Sequence, residues 1–406
     1  MRRAMQSMKV LIANVGSTSF KFKLFDMPGE KIIASGKIER VGQAKSPMAY
    51  KADGKEEVRQ EIVCPDQKTS IQTVLELLTG PKIGVLRNLN ELAAVGLKTV
   101  HARGINDCVR VDGDVLQRME EYTPLCPAHN PPYILACKLF LELLPGKPVV
   151  GVFEPHFHKT IPDFAYTYGI PQAWAEKYSI RKYGFHGASH RYVSERVPQL
   201  LGLPKERLKI ISCHLGGSSS LCAIKNGFSV DTSMGFSAQS GLDHAQRCGD
   251  IDPFLIPFIM DKEKLTTEEV RKALCKNSGL AGISGVPSGD FRDLEEAANK
   301  GNTGAKRAIE VFAYQIIKFI GMYSAVLEGV EVIAFAGGIG ENRSELRAKV
   351  CRSFGYLGLA LDIEKNQTRG EEVVISTEDS RVKVVVIKTN EELIVARETV
   401  RVATAR

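Results

Sequence analysis

The chain has 406 residues, 44% apolar and 25% charged, with a formal net charge of +7. That length can bury two cores of ordinary domain size, and the balance is that of a globular protein, not a fibrous or disordered one. The positive charge is spread out, with no concentrated basic stripe, so nucleic acid is not an expected partner; small anionic substrates are. The nine cysteines are scattered without a C-x-x-C pair and read as buried thiols of a reducing compartment. No apolar stretch approaches the roughly 20 residues of a membrane span, so no membrane partner is expected. Met1 to Met8 opens on two arginines without the apolar core of a signal peptide, and reads as a ragged extension before a start at Met8. The expected location is cytoplasmic.

The first expected element is a strand over Val10-Leu11-Ile12-Ala13. It meets the small-residue turn Asn14-Val15-Gly16-Ser17-Thr18-Ser19 and alternates onward through Phe20 to Asp26. Lys31 to Glu39 and Ala49 to Val63 alternate enough for further strands, Ser70 to Leu78 has helical spacing, and Leu92 to His101 is another apolar strand. Thr123 to Pro132 reads as a proline-stiffened loop before a helix over Ile134 to Leu144. Pro148 to Phe153 is a short buried strand delivering Glu154-Pro155-His156-Phe157-His158, where the domain boundary is placed.

The hairpin then recurs. Leu208 to Cys213 meets His214-Leu215-Gly216-Gly217-Ser218-Ser219-Ser220, followed by Leu221 to Gly227. Helices are expected over Pro253 to Asp261 and Gly304 to Leu327. The apolar strand Val330 to Phe335 opens into Ala336-Gly337-Gly338-Ile339-Gly340-Glu341-Asn342. Val382 to Ile387 is a strand, and Thr389 to Glu392 caps a terminal helix over Leu393 to Thr404. The pattern is α/β.

Glycine lets backbone N–H groups approach an anion, and hydroxyls with a nearby lysine add donors. Two such hairpins suggest two similar domains serving one nucleotide. The glycines after Ala336 miss the dinucleotide spacing, but beside two phosphate hairpins they read as a nucleotide loop. His186, between Phe185 and Gly187, has little reason to be core, and Arg247 stands in a loop beside carboxylates with the planar fork that clamps anions. His156 and His158 would share a strand face with no third ligand in sight, so no zinc site is expected there. Glycine, serine, lysine, arginine, histidine and acid together describe phosphoryl transfer, and the absence of G-x-x-x-x-G-K-[ST] excludes a P-loop enzyme.

These motifs, with His129-Asn130-Pro131-Pro132, Tyr183 to His190, Asp231 to Phe236, Arg247 to Pro253, Asp290 to Leu294 and Thr389 to Leu393, resemble the acetate/propionate kinase family. That family belongs to the actin-like, sugar-kinase and Hsp70 ATPase superfamily. The resemblance runs from about Lys9 to the C-terminus. It implies two duplicated ribonuclease-H-like domains with a central cleft: an N-terminal domain, 1–154, completed by 386–406, and a nucleotide-binding domain, 155–385. It implies ATP or ADP as co-substrate on Lys21, His214, Leu215, Gly216, Gly217 and Ser218, with Asp290, Phe291, Arg292 and Gly338, Ile339, Gly340, Glu341 and Asn342 around adenosine. It further implies Mg²⁺ or Mn²⁺ on Asn14 and Glu391. His186 and Arg247 would stabilise the phosphoryl group passing in line to a small carboxylate, and family members are usually homodimers.

Departures gather at the acid end. The family's arginine is Lys98 here, a point charge without a bidentate fork. Its catalytic aspartate is Glu154, one methylene longer. In the acid pocket, with Val100, His129 and Phe185, Ala128 replaces a leucine and Ala238 a proline. Asp243-His244 stands where the family is apolar. Two truncations enlarge a pocket, and one methylene-sized contact is worth roughly 1–3 kcal/mol of discrimination. The expected acceptor is therefore an acid larger or more polar than acetate. The alternative is a non-catalytic nucleotide-binding paralogue; a superfamily relative acting on a hydroxyl is a third reading.

Overall fold

The computed structural model describes Ser7–Ala405, so most of the extension expected before Met8 lies outside the described residues. The described chain divides into two compact units, one running through His156 and resuming at Asn390, the other comprising Phe157–Thr389.

The first unit is built on β1 (Met8–Val15), β2 (Ser19–Met27), β3 (Lys31–Glu39), β4 (Ser46–Ala52), β5 (Val58–Ile62), β6 (Leu92–Leu97), β7 (Val109–Arg110) and β8 (Val149–Gly151), in the order β5-β4-β3-β2-β1-β6-β8-β7. β1 to β5 pair antiparallel in sequence, whereas β6 lies parallel to β1 and β8 parallel to β6. β1 is apolar on both faces because both are covered. Leu11 and Ala13 pack with Ile71, Val74 and Phe140, while Val10 and Ile12 pack with Val395 and Ala396 of the helix Glu391–Thr404.

The second unit holds β9 (Lys209–His214), β10 (Ser220–Lys225), β11 (Phe228–Thr232), β12 (Val332–Ala336), β13 (Val373–Val374) and β14 (Lys383–Val386), in the order β11-β10-β9-β12-β14-β13. β9 to β11 are antiparallel, and β12 is parallel to both β9 and β14. The segment β3-β2-β1-β6-β8 of the first sheet therefore repeats as β11-β10-β9-β12-β14: three antiparallel strands, then two parallel ones. This is the duplicated architecture the repeated hairpin implied.

Some elements differ from the sequence reading. Ala49 to Val63 is not one strand; it bends at Asp53-Gly54 into the β4–β5 hairpin. The helix expected from Ile134 begins at Asn130, because prolines at the first helical positions give up only N–H groups that have no intrahelical partner. Glu154–Thr160 is a 3₁₀ turn, not strand, so His156 and His158 do not share a strand face. The helix Thr303–Val326 is long and apolar enough to cross a membrane, against the expectation that no stretch is. Its Phe312, Ile316, Ile320 and Tyr323 line the second unit's core against Ile211, Leu221 and Phe335.

Candidate active site

In the first unit Lys98, Glu154 and Glu391 converge. Past β6 and β8 the backbones stay paired, with Val152 N donating to Leu97 O at 2.8 Å and Glu154 N to Thr99 O at 3.0 Å. This sets Lys98 beside Glu154, Nζ to Oε1 2.9 Å, and Lys98 Nζ also donates to Glu391 Oε2 at the start of the terminal helix. Asn390 caps that helix, its Oδ1 accepting from Leu393 N at 3.2 Å. Burial opposes the Lys98 ammonium, but Glu154 and Glu391 outweigh it and hold its pKa well above the usual range. Tyr133 donates from its hydroxyl to Asn14 Oδ1 at 3.0 Å and senses the charges of Lys98 and Glu154; burial pushes its pKa up to about 12. Asn14 sits opposite Lys21 in the hairpin ladder, and both are exposed. Ala128 and His129 are exposed and Val100 half-buried. Asn130 is fully buried, its amide donating to His101 O at 2.9 Å and Met119 O at 2.8 Å, so the polar residue after His129 holds the loop.

In the second unit, His186 stands at the N-terminus of the helix Gly187–Leu201 with φ 55° and ψ 29°. A left-handed non-glycine residue costs of order 1–3 kcal/mol and persists where its surroundings fix it. Here His158 Nε2–H donates to Phe185 O at 2.9 Å, since a carbonyl only accepts, and a Cβ on Gly184 would lie 2.5 Å from Thr232 Cγ2 at φ +77°. The His186 ring lies 4.2 Å from that of His214, centroid to centroid, and its Nδ1 is 2.8 Å from Ser220 Oγ. His190, on the next turn of the helix, contacts the same Ser220 Oγ through Nε2 at 2.8 Å. His214 Nδ1 lies 2.7 Å from Ser189 Oγ.

The loop carrying Arg247 is bound to the second hairpin. Ala245 N donates to Gly217 O at 2.9 Å and Ser219 N to His244 Nδ1 at 3.0 Å, and the Arg247 guanidinium donates to Ser218 Oγ. Asp243 answers the side-chain amide of Gln315 in both directions, each bond 2.8 Å. Asp243 is thus satisfied where it stands, while His244 uses Nδ1 and leaves its buried Nε2 without a hydrogen-bond partner among the described residues. Burial, with Arg247's charge adding to it, pushes the His244 pKa well below its usual value and keeps the ring neutral.

The glycine run after β12 is a short helix, Gly337–Asn342, tied to the hairpin by Leu215 N to Ala336 O and Ile339 N to Leu215 O, both 2.8 Å. A Cβ on Gly337 would lie 2.6 Å from Leu215 O at φ +76°; Gly338 faces open space. Asp290 caps the helix Phe291–Asn299 and accepts from the Arg292 side chain at 2.9 and 2.8 Å, which holds its carboxyl down at about 2. Phe291 points into the core against Phe312, so only Asp290 and Arg292 of that trio reach the surface. Gly340, Ile339 and Leu215 are buried; Glu341 and Asn342 are half-buried.

Sequence reasoning missed Tyr133, Gln315 and Arg347. Arg347 is fully buried and donates to Gly340 O at 2.8 Å and Asn366 Oδ1 at 2.9 Å, clamping the end of the glycine helix. No local pattern separates it from a solvated helix arginine. All nine cysteines are free, and the one group of metal-type side chains found among the described residues is Asp107, Cys108 and Glu398.

Residues 9–397 match the profile described as the Acetokinase family. The chain is 48% identical over 394 residues to the acetate kinase of Caldanaerobacter subterraneus subsp. tengcongensis, covering 97% of this chain and 98% of that protein. It is 47% identical to the acetate kinase of Carboxydothermus hydrogenoformans, at 97% and 98% coverage. Its fold is similar to the crystal structures of Porphyromonas gingivalis acetate kinase (TM-score 0.86, 38% identity, 97% and 99% of the chains) and a Francisella tularensis propionate kinase (TM-score 0.86, 32% identity, 97% and 99%). With the duplicated sheets and both motif clusters in place, the chain belongs to the acetokinase family.

Proposed function

We infer that the protein transfers the γ-phosphoryl group of ATP to a short-chain carboxylate, forming an acyl phosphate and ADP. Family membership along the whole chain carries this reading, because both hairpins and both side-chain clusters fall within the match. Phosphoryl transfer asks for positioning and charge neutralisation more than covalent help. In the second unit, the Ser218 hairpin, Asp290, Arg292 and the Gly338 helix take the nucleotide, while His186 and Arg247 face the migrating group as donors. In the first unit, Lys98 receives the acid's carboxylate and Glu154 orients it.

The donor set at Asn14 and Glu391 fits magnesium: a carboxylate and an amide oxygen are the hard ligands Mg²⁺ accepts alongside substrate phosphates. When bound, the metal supplies charge neutralisation on those phosphates. A cytoplasmic homodimer is part of the reading. The helix Leu255–Glu263 leaves Leu255, Phe258 and Ile259 exposed beside Phe254, 80% exposed, an apolar face of the kind a second copy covers.

The relatives named as acetate kinases make acetate an acceptor, and Ala128 and Ala238 favour a larger or more polar acid over it. Trapping the acyl phosphate as a hydroxamate over acids from formate to branched and hydroxylated ones tests both points. The expected kcat/KM peaks beyond acetate; a maximum at acetate removes the size preference.

A further inference from the structure

We propose that His190, directed by Ser212 and acting through Ser220, is a positioning residue that holds His186 as the neutral tautomer with its proton on Nε2. The proposal rests on the reading of His186 as a donor to the migrating phosphoryl group.

The observation is a run of three hydrogen bonds: Ser212 Oγ to His190 Nδ1, 2.9 Å; His190 Nε2 to Ser220 Oγ, 2.8 Å; Ser220 Oγ to His186 Nδ1, 2.8 Å. Ser212, His190 and Ser220 are all fully buried. Each hydroxyl has one hydrogen, and a neutral imidazole has one N–H and one acceptor nitrogen. Ser220 Oγ could accept from both rings, but its own hydrogen would then be buried with no acceptor among the described residues, so two directions are open. In the outward one, Ser212 O–H donates to His190 Nδ1, His190 Nε2–H donates to Ser220 Oγ, and Ser220 O–H donates to His186 Nδ1. Every hydrogen is used, and the His186 proton must sit on Nε2. In the inward one, His186 Nδ1–H starts the run and His190 Nδ1–H ends it on Ser212. The Ser212 hydrogen is then buried with no acceptor among the described residues, a penalty the outward direction avoids.

The rest of the cluster agrees. A charged His190 would have two N–H groups and break the outward run; burial first, then His158 and His214, push its pKa well below the usual value. The rings of His186 and His190 face each other and His214 from β9, and His190 also faces His158 from the turn Glu154–Thr160. His158 is held as its own Nε2–H tautomer by Phe185 O, so it offers no proton that would reverse the run. His186 then meets the phosphoryl oxygens as a neutral N–H donor.

The test is a long-range ¹H–¹⁵N correlation spectrum of the ¹⁵N-histidine-labelled full chain above neutral pH, with His186 assigned from the signals lost in His186→Gln. The pattern of an Nε2–H imidazole is expected; an Nδ1–H pattern overturns the proposal. Ser212→Ala and Ser220→Ala provide a second reading. Each should give a mixture of His186 tautomers and a kcat lower by roughly tenfold or more, with nucleotide KM little changed, as when a partner orienting a histidine is lost. A single tautomer and unchanged kcat in folded variants would contradict it. If the unaltered protein makes no acyl phosphate, the functional reading fails, while the spectrum still decides the tautomer.

Discussion

Lys98 and Glu154 stand where the resemblance to the family implies an arginine and an aspartate, so the two expected changes come together. Lysine reaches about one atom less far than arginine, and glutamate one methylene further than aspartate, so the combined reach of the pair is preserved. The 2.9 Å contact between them is the result. Either reversion alone breaks that match, and a displacement of about 1 Å at a reacting centre can cost on the order of a hundredfold. Lys98→Arg and Glu154→Asp should each lower kcat/KM for the preferred acid, and the double variant should lie closer to the starting enzyme than the product of the two losses. Simple additivity in a double-mutant cycle would refute this compensation. At this scale the sequence is legible where chemistry is local. Lys98, Glu154, His186, Arg247 and Glu391 stand in recognisable motifs, and the structure gathers the first, second and fifth of them. Tyr133, Gln315 and Arg347 are invisible because their roles arise from partners far along the chain.

The two hairpins and the glycine helix decide how the backbone meets an anion. Alternation marked β2 with Phe20, Phe22 and Leu24 inward, and β3 was legible to both ends for the same reason. The β4–β5 turn was hidden because Asp53-Gly54 interrupts an alternation that continues on both sides. The first turn at Asn130 was hidden because Pro131-Pro132 is as compatible with a stiff loop as with a first helical turn. The glycines of Gly337–Asn342 separate two functions by position. Gly337→Ala forces a Cβ to within 2.6 Å of a carbonyl oxygen in a left-handed backbone, and should destabilise the second unit by about 1–3 kcal/mol and weaken nucleotide binding. Gly338→Ala meets nothing within 4 Å, so the fold should keep its stability while nucleotide affinity falls. Urea unfolding and nucleotide titration on both variants check this; equal loss of stability in the two would argue against it.

Across the whole molecule, the duplication was the clearest message of the sequence, since one hairpin text written twice became two sheets that share a five-strand order. What no sequence pattern carried is the buried polar interior of the second unit. His190 and His244 both have pKa values pushed well below the ordinary 6.5. Both stay neutral in the native protein and take up a proton below that value when unfolded. The unfolded state then binds more protons, so stability falls as pH drops below 6.5. Each histidine contributes about 1.4 kcal/mol per pH unit, roughly 2.7 for the two. His244→Asn, whose amide oxygen can replace Nδ1 as the acceptor from Ser219 N, should remove about half of that slope in urea titrations between mildly acidic and neutral pH. An unchanged slope would show that His244 is not buried neutral.

In the proposed reaction the carboxylate oxygen of a small acid takes the γ-phosphoryl group of ATP. The most direct measurement is a ³¹P NMR time course of the purified full chain with ATP, Mg²⁺ and a ¹³C-carboxyl-labelled acid. A growing acyl-phosphate resonance, coupled to the labelled carbon, is expected at the expense of the ATP γ-phosphate. ATP that binds by calorimetry but gives only inorganic phosphate, or no new resonance with any acid, would contradict it.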